Sequence, residues 1–260
     1  MSTAGSEPQV ARSPQTPAEI AQTARQEARF GAAFLRIHGP RLLLVFFGVL
    51  LPLWGFGGLV EELHEGEPFV FDAPVLELLH GHATPALDQM ALAATAVGYA
   101  WGVMPFDVGF VLVLAWRRHV REGLFAAVAL LGSALLNVGA KHQFQRMRPA
   151  LWTSIAPEHT YSFPSGHAMG SMTLVLTLLL LCWSARTPWG SRWRWPVTVL
   201  GALFVLWVGW ARVYLGVHYP SDILAGWCGA AAWTAGAYAL VFRGTLKPWG
   251  AVPKPVPDLA

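Results

Sequence analysis

The sequence predicts an all-α protein that crosses a membrane six times, and three observations support this fold class. Only 13% of its 260 residues are charged and 54% are hydrophobic, whereas a soluble domain usually carries about 25% charged residues. The chain also contains 13 tryptophans, a residue that favours membrane interfaces. Finally, apolar stretches long enough to cross a bilayer recur along the chain. We therefore expect an integral membrane protein built as a helical bundle.

The two ends of the chain are predicted to be cytoplasmic segments outside this bundle. Residues 1–41 begin with a polar, Pro-containing stretch over 1–16 that we expect to be disordered, with no visible cleavable signal peptide. Residues 17–37 mix apolar side chains with arginines, which fits either an amphipathic helix on an anionic membrane surface or a solvated linker. Residues 243–260 form a Pro-rich tail, expected to be disordered over 247–260.

Six apolar stretches are predicted to span the bilayer, since each crossing helix needs about 20 apolar residues. They are roughly Leu42–Val60, Met90–Trp116, Leu124–Ala140, Gly166–Trp183, Pro196–Val213 and Ile223–Phe242. Because Gly98, Gly102, Pro105 and Asp107 interrupt the second stretch, we expect it to be kinked or preceded by an interfacial helix. A further stretch, Ala73–Leu79, is too short to span and is expected at the interface.

The distribution of basic residues predicts the orientation of these spans. With the N-terminus placed inside, 14 of the 18 Lys and Arg fall on the inner side, as the positive-inside rule requires. The four on the outer side are Lys141, Arg146, Arg148 and Arg212. Both termini are therefore expected in the cytoplasm, with these four residues on the extracytoplasmic face.

Three polar clusters stand at the outer ends of the predicted spans, so four helix ends can converge on one pocket. The clusters are Lys141 with Arg148-Pro149, then Pro164-Ser165-Gly166-His167, then Arg212 with His218 and Asp222. Together they supply three cations, two histidines and one carboxylate. These are the groups that phosphoryl transfer needs if it proceeds without a metal.

The histidines predict a nucleophile and an acid. Asp222 follows His218 by four residues, so one helical turn can place its carboxylate beside an imidazole nitrogen and leave the other nitrogen free to attack. The alternative is a His–Asp pair that only caps a helix. His167 opens the fourth span and could protonate the leaving oxygen as a general acid. Ser165 suits a helix N-cap. Gly166 has no side chain and would let phosphate approach the backbone at the helix start. The alternative is that Gly166 only allows close packing of helices.

The cations are expected to bind the phosphate. Lys141 and Arg148 are seven residues apart, which places them on one face of a helix that Pro149 would end. With Arg212 they could neutralise the charge on three phosphoryl oxygens. The alternative is that they bind lipid headgroups or pair with carboxylates, and for Arg146, which fits no motif, we favour that alternative.

Other ligands find little support in the sequence. No Asp/Glu cluster or His/Cys pair has the spacing of a metal site, so no metal or other cofactor is expected. Cys182 and Cys228 lie in apolar stretches and are expected to be small buried residues without a disulfide. The basic residues do not cluster as a nucleic-acid surface would, so no nucleic-acid partner is expected. Asp107 is left out of the site, and the oligomeric state stays open.

The three clusters, in this order and spacing, resemble the type 2 phosphatidic acid phosphatase superfamily, which also includes vanadium haloperoxidases. The resemblance implies a phosphohistidine intermediate on His218 and acid–base catalysis by His167, with no metal. It also implies a phosphate cradle formed by Lys141, Arg148, Ser165, Gly166 and Arg212. One position departs from the family pattern, because Ala211 stands where the family has a serine that lines the phosphate pocket. We expect this change to weaken or retune the site without abolishing it.

The predicted function is hydrolysis of lipid phosphates at a membrane, with bilayer lipid as substrate and partner. The candidates are phosphatidic acid, phosphatidylglycerol phosphate and undecaprenyl diphosphate, the last on the outer side of a bacterial inner membrane. Two alternatives remain: a lipid phosphotransferase that uses the same site, and a non-catalytic protein that binds lipid phosphates. Six spans argue against a soluble haloperoxidase.

Overall fold

The structure, a computed structural model, describes residues 16–185, 188–243 and 248–250. Within these residues it contains α-helices, one π-helical turn over Phe46–Leu50 and no strand, so the predicted all-α class is confirmed. The α-helices are α1 (Pro17–Val45), α2 (Leu51–Glu65), α3 (Asp72–Gly81), α4 (Pro85–Val97), α5 (Val103–Trp116), α6 (Val120–Phe144), α7 (Gly166–Ser184), α8 (Pro188–Tyr214) and α9 (Pro220–Val241).

The chain divides into two compact units, Met1–Leu43 and Leu44–Ala260. The described part of the first unit consists almost entirely of α1, in which Ile20, Phe30 and Phe34 are exposed. A helix over 17–37 was one of the two sequence alternatives, and the helix is present. Its location on a membrane surface stays a prediction, as does the cytoplasmic placement of 1–41.

Five helical stretches are long and apolar enough to cross a membrane. They are His38–Glu65, Val120–Phe144, Gly166–Ser184, Arg192–Tyr214 and Pro220–Val241. These stretches contain nearly all of the first, third, fourth, fifth and sixth predicted spans. The short stretch predicted over Ala73–Leu79 is also helical and forms the centre of α3.

The second predicted span, Met90–Trp116, is divided into α4 and α5, which agrees with the kink or preceding helix expected from its glycines. The break begins at Gly98, where an added Cβ would lie 2.6 Å from the carbonyl oxygen of Ala94, and it ends at Gly102, where the carbonyl oxygen of Val97 would be 2.1 Å away. The backbone therefore folds too tightly at both glycines to admit a side chain. The remaining apolar helix, α5, has 14 residues, fewer than the roughly 20 of a usual span.

Helix α9 lies at the centre of the second unit, where it contacts α2, α3, α6 and α7, while α8 packs against α7 and α4. The buried residues of α9 are mostly small: Ser221, Ala225, Gly226, Ala230, Ala232, Ala235 and Ala237. Small side chains allow helices in a membrane to approach closely. This packing sets the ends of α6 and α8 beside the starts of α7 and α9.

The C-terminal segment and the cysteines differ in part from expectation. The predicted disorder over 1–16 and 247–260 falls mostly outside the described residues, on 1–15, 247 and 251–260. Within the predicted tail, however, the indole of Trp249 donates to the carbonyl oxygen of Leu181 (2.9 Å), and its backbone N–H donates to Glu122.

Cys182 and Cys228 are free thiols, but both are only partly buried.

Candidate active site

The three polar clusters meet at the place where these helix ends converge. Lys141 lies in the last turn of α6, and Arg148 lies in the loop between α6 and α7. Ser165 is the N-cap of α7, and Gly166 and His167 lie in its first turn. Arg212 lies near the end of α8, His218 in the turn that follows, and Asp222 in the first turn of α9. A hydrogen bond from the backbone N–H of Ser165 to the carbonyl oxygen of Asp222 (3.0 Å) joins two of these helix starts.

His218 and Asp222 form a fully buried pair. The Nδ1 atom of His218 lies 3.2 Å from Oδ2 of Asp222, and Nε2 lies 3.1 Å from Nη1 of Arg148. Since a carboxylate only accepts and a guanidinium only donates, these partners assign the proton to Nδ1 and leave Nε2 unprotonated, with its lone pair directed at Arg148. Burial lowers the pKa of His218 well below its ordinary value, and the charges of Arg212 and Arg148 lower it further. The imidazole is therefore neutral at physiological pH.

A tight turn after α8 aims His218 into the site. Gly216 adopts a left-handed conformation with φ +67°, and an added Cβ there would lie 2.6 Å from the ring of Trp152. The backbone N–H of His218 then donates to the carbonyl oxygen of Arg212 (3.3 Å). Both the backbone conformation and the close contact favour glycine at this position.

Arg148 reaches the site from a loop and not from a helix face, so the prediction that it shares one face with Lys141 is wrong. Helix α6 ends at Phe144, because Gln145 takes a left-handed conformation with φ 47°. Three backbone carbonyls hold the guanidinium of Arg148: Val217 (2.6 Å), Thr160 (2.7 Å) and Tyr161 (3.3 Å). Its place beside the imidazole is thus determined by the loop backbone.

The other two cations approach from α6 and α8. Arg212 is completely buried and donates from Nη1 to the hydroxyl of Thr95 (3.2 Å), while its Nε has no hydrogen-bond partner among the residues that the structure describes. Lys141 donates from Nζ to the carbonyl oxygen of Tyr161 and lies 3.5 Å from the hydroxyl of Thr160. A buried guanidinium with a spare N–H can accept another anionic ligand.

The start of α7 supplies the backbone part of the site. The hydroxyl of Ser165 accepts a hydrogen bond from the backbone N–H of Ala168 (3.5 Å), as expected of an N-cap. A Cβ at Gly166 would lie 3.0 Å from Oδ1 of Asn137, so lack of space on the α6 side also explains this glycine. The ring of His167 lies against Tyr99 with 4.9 Å between centroids.

Glu158 is a site residue that sequence reasoning missed. Its carboxylate bridges two arginines, with Oε2 2.6 Å from Nη2 of Arg148 and Oε1 bonded to Arg212, and it lies 4.0 Å from Nδ1 of His167. Burial raises its pKa, but Arg212 and Arg148 outweigh that effect and hold it at about 2. A negative charge therefore occupies the space between the cations, although no local pattern marked this loop acid.

Arg146 pairs with carboxylates, the kind of role that we favoured for it. Its Nη1 donates to Asp222 Oδ1 (2.6 Å), and its Nη2 donates to Asp72 Oδ2 (2.8 Å). Asp72, at the start of α3, is a second residue that the sequence did not indicate. Only its place after an acidic stretch that contains Glu61, Glu62, Glu65 and Glu67 could have drawn attention to it.

In the part of the chain that the structure describes, no three His, Cys, Asp or Glu side chains lie close enough together to hold a metal ion.

Ala211 is completely buried in an apolar cluster with Ala91, Ala94, Tyr214 and Leu215. Its side chain thus packs against α4 and α8 residues at the position where the family serine is expected to line the phosphate pocket.

Comparisons with known proteins find similar sequences among membrane lipid phosphatases. The family model for the PAP2 superfamily matches residues 122–246. An undecaprenyl-diphosphatase of Sulfolobus acidocaldarius is 26% identical over 188 residues, which cover 70% of this chain and 84% of the relative. Phosphatidylglycerophosphatase B of Bacillus subtilis is 28% identical over 142 residues, covering 55% of this chain and 69% of the relative.

A solved structure shares the fold. The crystal structure of a transmembrane PAP2 type phosphatidylglycerolphosphate phosphatase from Bacillus subtilis superposes with a TM-score of 0.64. The match has 22% sequence identity and covers 73% of this chain and 94% of that chain. These matches show that the chain contains a PAP2 superfamily domain over residues 122–246 and is similar to membrane phosphatases of that superfamily.

Proposed function

We propose that this protein is a membrane phosphatase that removes a terminal phosphate from lipid phosphates or lipid diphosphates. The observation that carries the proposal is the carboxylate of Glu158 held between Arg148 and Arg212. The guanidinium of Arg148 also contacts Nε2 of His218. A phosphoryl group bound in place of the Glu158 carboxylate would therefore lie next to the nucleophile.

The reaction would proceed in two displacements at phosphorus. In the first, the Nε2 lone pair of His218 forms an N–P bond, the P–O bond to the lipid breaks, and His167 gives a proton to the leaving oxygen. In the second, His167 takes a proton from water, the water oxygen bonds to phosphorus, and the N–P bond breaks. Asp222 stabilises the positive charge that develops on the imidazole when Nε2 is phosphorylated.

The phosphoryl oxygens would be bound by fixed donors. Lys141, Arg148 and Arg212 supply charge, and Gly166 and His167 in the first turn of α7 supply backbone N–H groups. Contacts with the surrounding backbone and Thr95 already hold the cations in place, so the carboxylate of Glu158 is the group that phosphate must displace to reach them. Because these donors suffice to balance the phosphate charge, we propose a reaction that requires no metal.

The lipid class is supported by the surroundings of the site. An apolar cleft of about 620 Å³ between α2, α6 and α9 is lined by residues that include Leu53, Phe56, Phe144, Pro164 and Trp233. Pro164 directly precedes the Ser165 cap, so a chain in this cleft would end close to the phosphate position. The relatives named above act on undecaprenyl diphosphate and phosphatidylglycerol phosphate, both of which are lipids. We therefore propose one of these or phosphatidic acid as substrate.

The proposed location follows from the charge asymmetry of the loops. With both termini in the cytoplasm, the site opens at the extracytoplasmic face. We propose the inner membrane of a bacterium, where such a site would meet lipid headgroups in the outer leaflet.

The test is phosphate release by purified protein in detergent with EDTA present. The lipids are phosphatidic acid, phosphatidylglycerol phosphate and undecaprenyl diphosphate, and the variants are His218→Asn and the matched control His82→Asn, which alters an exposed histidine in the turn after α3. We expect the wild type and the control to release phosphate from at least one lipid, and His218→Asn to lose the activity by at least about 10³-fold.

Three outcomes would contradict the proposal. Full activity of His218→Asn would reject the nucleophile, and loss of activity in EDTA that Mg²⁺ restores would reject the metal-free reaction. No release from any lipid by folded wild-type protein would leave the phosphotransferase or the non-catalytic lipid-phosphate-binding protein, and adding a lipid or sugar acceptor would then distinguish these two.

A further inference from the structure

We propose that Arg146 and Asp72 are positioning residues that orient the Asp222–His218 pair for attack on phosphorus. The inference rests on the proposed function, because it assigns the two residues a role in the same reaction. Neither belongs to the three clusters that the sequence singled out, and within the described part of the chain no hydrogen bond joins either of them to the phosphate ligands Lys141 or Arg212.

Arg146 holds the side of the Asp222 carboxylate that faces away from the imidazole. Its Nη1 donates to Oδ1 (2.6 Å), whereas Oδ2 accepts from His218 Nδ1 (3.2 Å) and from the backbone N–H of Tyr219 (3.0 Å). Both oxygens are thus occupied, and the plane of the carboxylate is fixed. The guanidinium of Arg146 also lies over the ring of Tyr219, 4.1 Å from its centroid, which restricts its own movement.

Asp72 fixes Arg146 from the opposite side. Its Oδ2 accepts from Nη2 of Arg146 (2.8 Å) and from the hydroxyl of Ser221 (2.5 Å), and its Oδ1 accepts from the backbone N–H of Ser221 (2.9 Å). Asp72 is 3% exposed. The start of α3 is therefore bonded directly to the first turn of α9, in which Asp222 lies.

The charges in this chain of contacts favour the proposed chemistry. Asp72, Arg146 and Asp222 alternate in sign, so each buried charge has a partner, and the group as a whole carries one negative charge beside His218. Buried charges without partners are strongly unfavourable. When Nε2 forms a bond to phosphorus, the ring becomes positive and meets this negative charge. Removing Arg146 would leave two carboxylates facing each other and release Asp222 from its orientation.

Two anions can distinguish positioning of the nucleophile from simple binding. Orthophosphate needs only the cations and backbone donors. Vanadate readily takes a fifth ligand and resembles the transition state of phosphoryl transfer, so its tight binding also needs a correctly directed Nε2. A positioning residue should therefore affect vanadate much more than orthophosphate.

The experiment measures the dissociation constants of both anions by titration calorimetry on the purified full-length protein, without lipid. The variants are Arg146→Gln, Asp72→Asn, their combination, and the matched control Arg117→Gln on an exposed arginine after α5. We expect Arg146→Gln to weaken vanadate about 10- to 100-fold, the range found for residues that orient a ligand to a metal, with orthophosphate changed by less than about twofold. Asp72→Asn should give a smaller loss, and the double variant should not add to that of Arg146→Gln, because the residues act in series.

The same variants are then assayed for phosphate release, where kcat should fall in parallel with vanadate affinity while KM stays nearly constant. Arg146→Lys, which keeps the charge but cannot bridge both acids with a planar fork, should be intermediate and serves as the second variant if Arg146→Gln does not fold.

Several results would overturn the inference. Equal losses for vanadate and orthophosphate, or unchanged vanadate binding, would show that Arg146 does not orient the nucleophile, and additive losses in the double variant would separate Asp72 from Arg146. If vanadate binding depends on Arg146 but no lipid releases phosphate from the wild type, the proposed function fails and the positioning role stands. If the wild type does not bind vanadate, both are overturned.

Discussion

In the proposed reaction the phosphoryl group takes the position that Glu158 occupies, although Glu158 is an ordinary loop acid in the sequence. Its two oxygens are bound to Arg148 and Arg212, the same groups that would bind phosphate. Substrate must therefore displace an internal carboxylate, and two charge-assisted hydrogen bonds must break before phosphate can form its own. Such bonds contribute about 1.5–3 kcal/mol each. The internal anion lowers the affinity for substrate and product alike, which favours release of phosphate after hydrolysis.

Replacing this competing charge should tighten anion binding. For Glu158→Gln we expect the inhibition constant of orthophosphate to fall by at least about tenfold, which corresponds to about 1.4 kcal/mol, because glutamine keeps the shape but not the charge. The measurement is competitive inhibition of phosphate release, with Glu77→Gln, an exposed acid in α3, as control. Unchanged or weaker inhibition by orthophosphate would indicate that Glu158 stays in place when phosphate binds.

The pH dependence of this effect can also be predicted. Because the two arginines hold the pKa of Glu158 at about 2, its carboxylate is ionised throughout the range from pH 5 to pH 8. The ratio of the orthophosphate inhibition constants of Glu158→Gln and the wild type should therefore stay constant over this range. A ratio that approaches one as the pH falls toward 5 would mean that Glu158 becomes protonated there and that the arginines do not hold it as described.

At the scale of single elements, the turn between α8 and α9 determines where the nucleophile points. Residues Leu215, Gly216 and Val217 reverse the chain through hydrogen bonds back to the last turn of α8. The left-handed conformation at Gly216 is what allows His218 to face Arg148. A short turn of this kind transmits any backbone change directly to the imidazole.

Gly216→Ala tests this role of the turn. A left-handed backbone costs a non-glycine residue about 1–2 kcal/mol, and the added Cβ would also meet Trp152. We expect a lower unfolding temperature and a fall in kcat of about 10²-fold, since a displacement of about 1 Å at a catalytic group can have that effect. The control is Gly236→Ala in α9, where an added Cβ meets nothing within 4 Å. Wild-type activity of Gly216→Ala would show that His218 does not depend on this turn.

At the scale of the whole molecule, the side of the membrane on which the site opens depends on the charge distribution. Helix α6 has 25 residues, about 37 Å at 1.5 Å per residue, which is enough to cross the hydrocarbon core once. The loop before α6 and the loop after it must then lie on opposite sides. The positive-inside rule places the earlier loop, with Arg117 and Arg118, in the cytoplasm.

Labelling of single cysteines checks this orientation. In a protein whose Cys182 and Cys228 are replaced by alanine, Thr153→Cys in the loop after α6 should react with a membrane-impermeant maleimide in intact cells. Arg117→Cys should react only after lysis. The reverse pattern would place the site in the cytoplasm and would contradict the proposed location.

The sequence by itself determined the helical class, most of the spans and the residues of the three clusters, because hydrophobic runs and helix-end motifs are local properties of a chain. The tertiary structure alone revealed the end of α6 before Arg148, the place of Glu158 between two arginines, and the carboxylates of Asp72 and Asp222 as the partners of Arg146. Each of these depends on partners distant in sequence. Arg146 is separated from Asp72 by 74 residues and from Asp222 by 76, and Arg212 from Glu158 by 54. An ion pair across such separations leaves no periodic signal, since only the packing of α3, α6, α8 and α9 brings its members together.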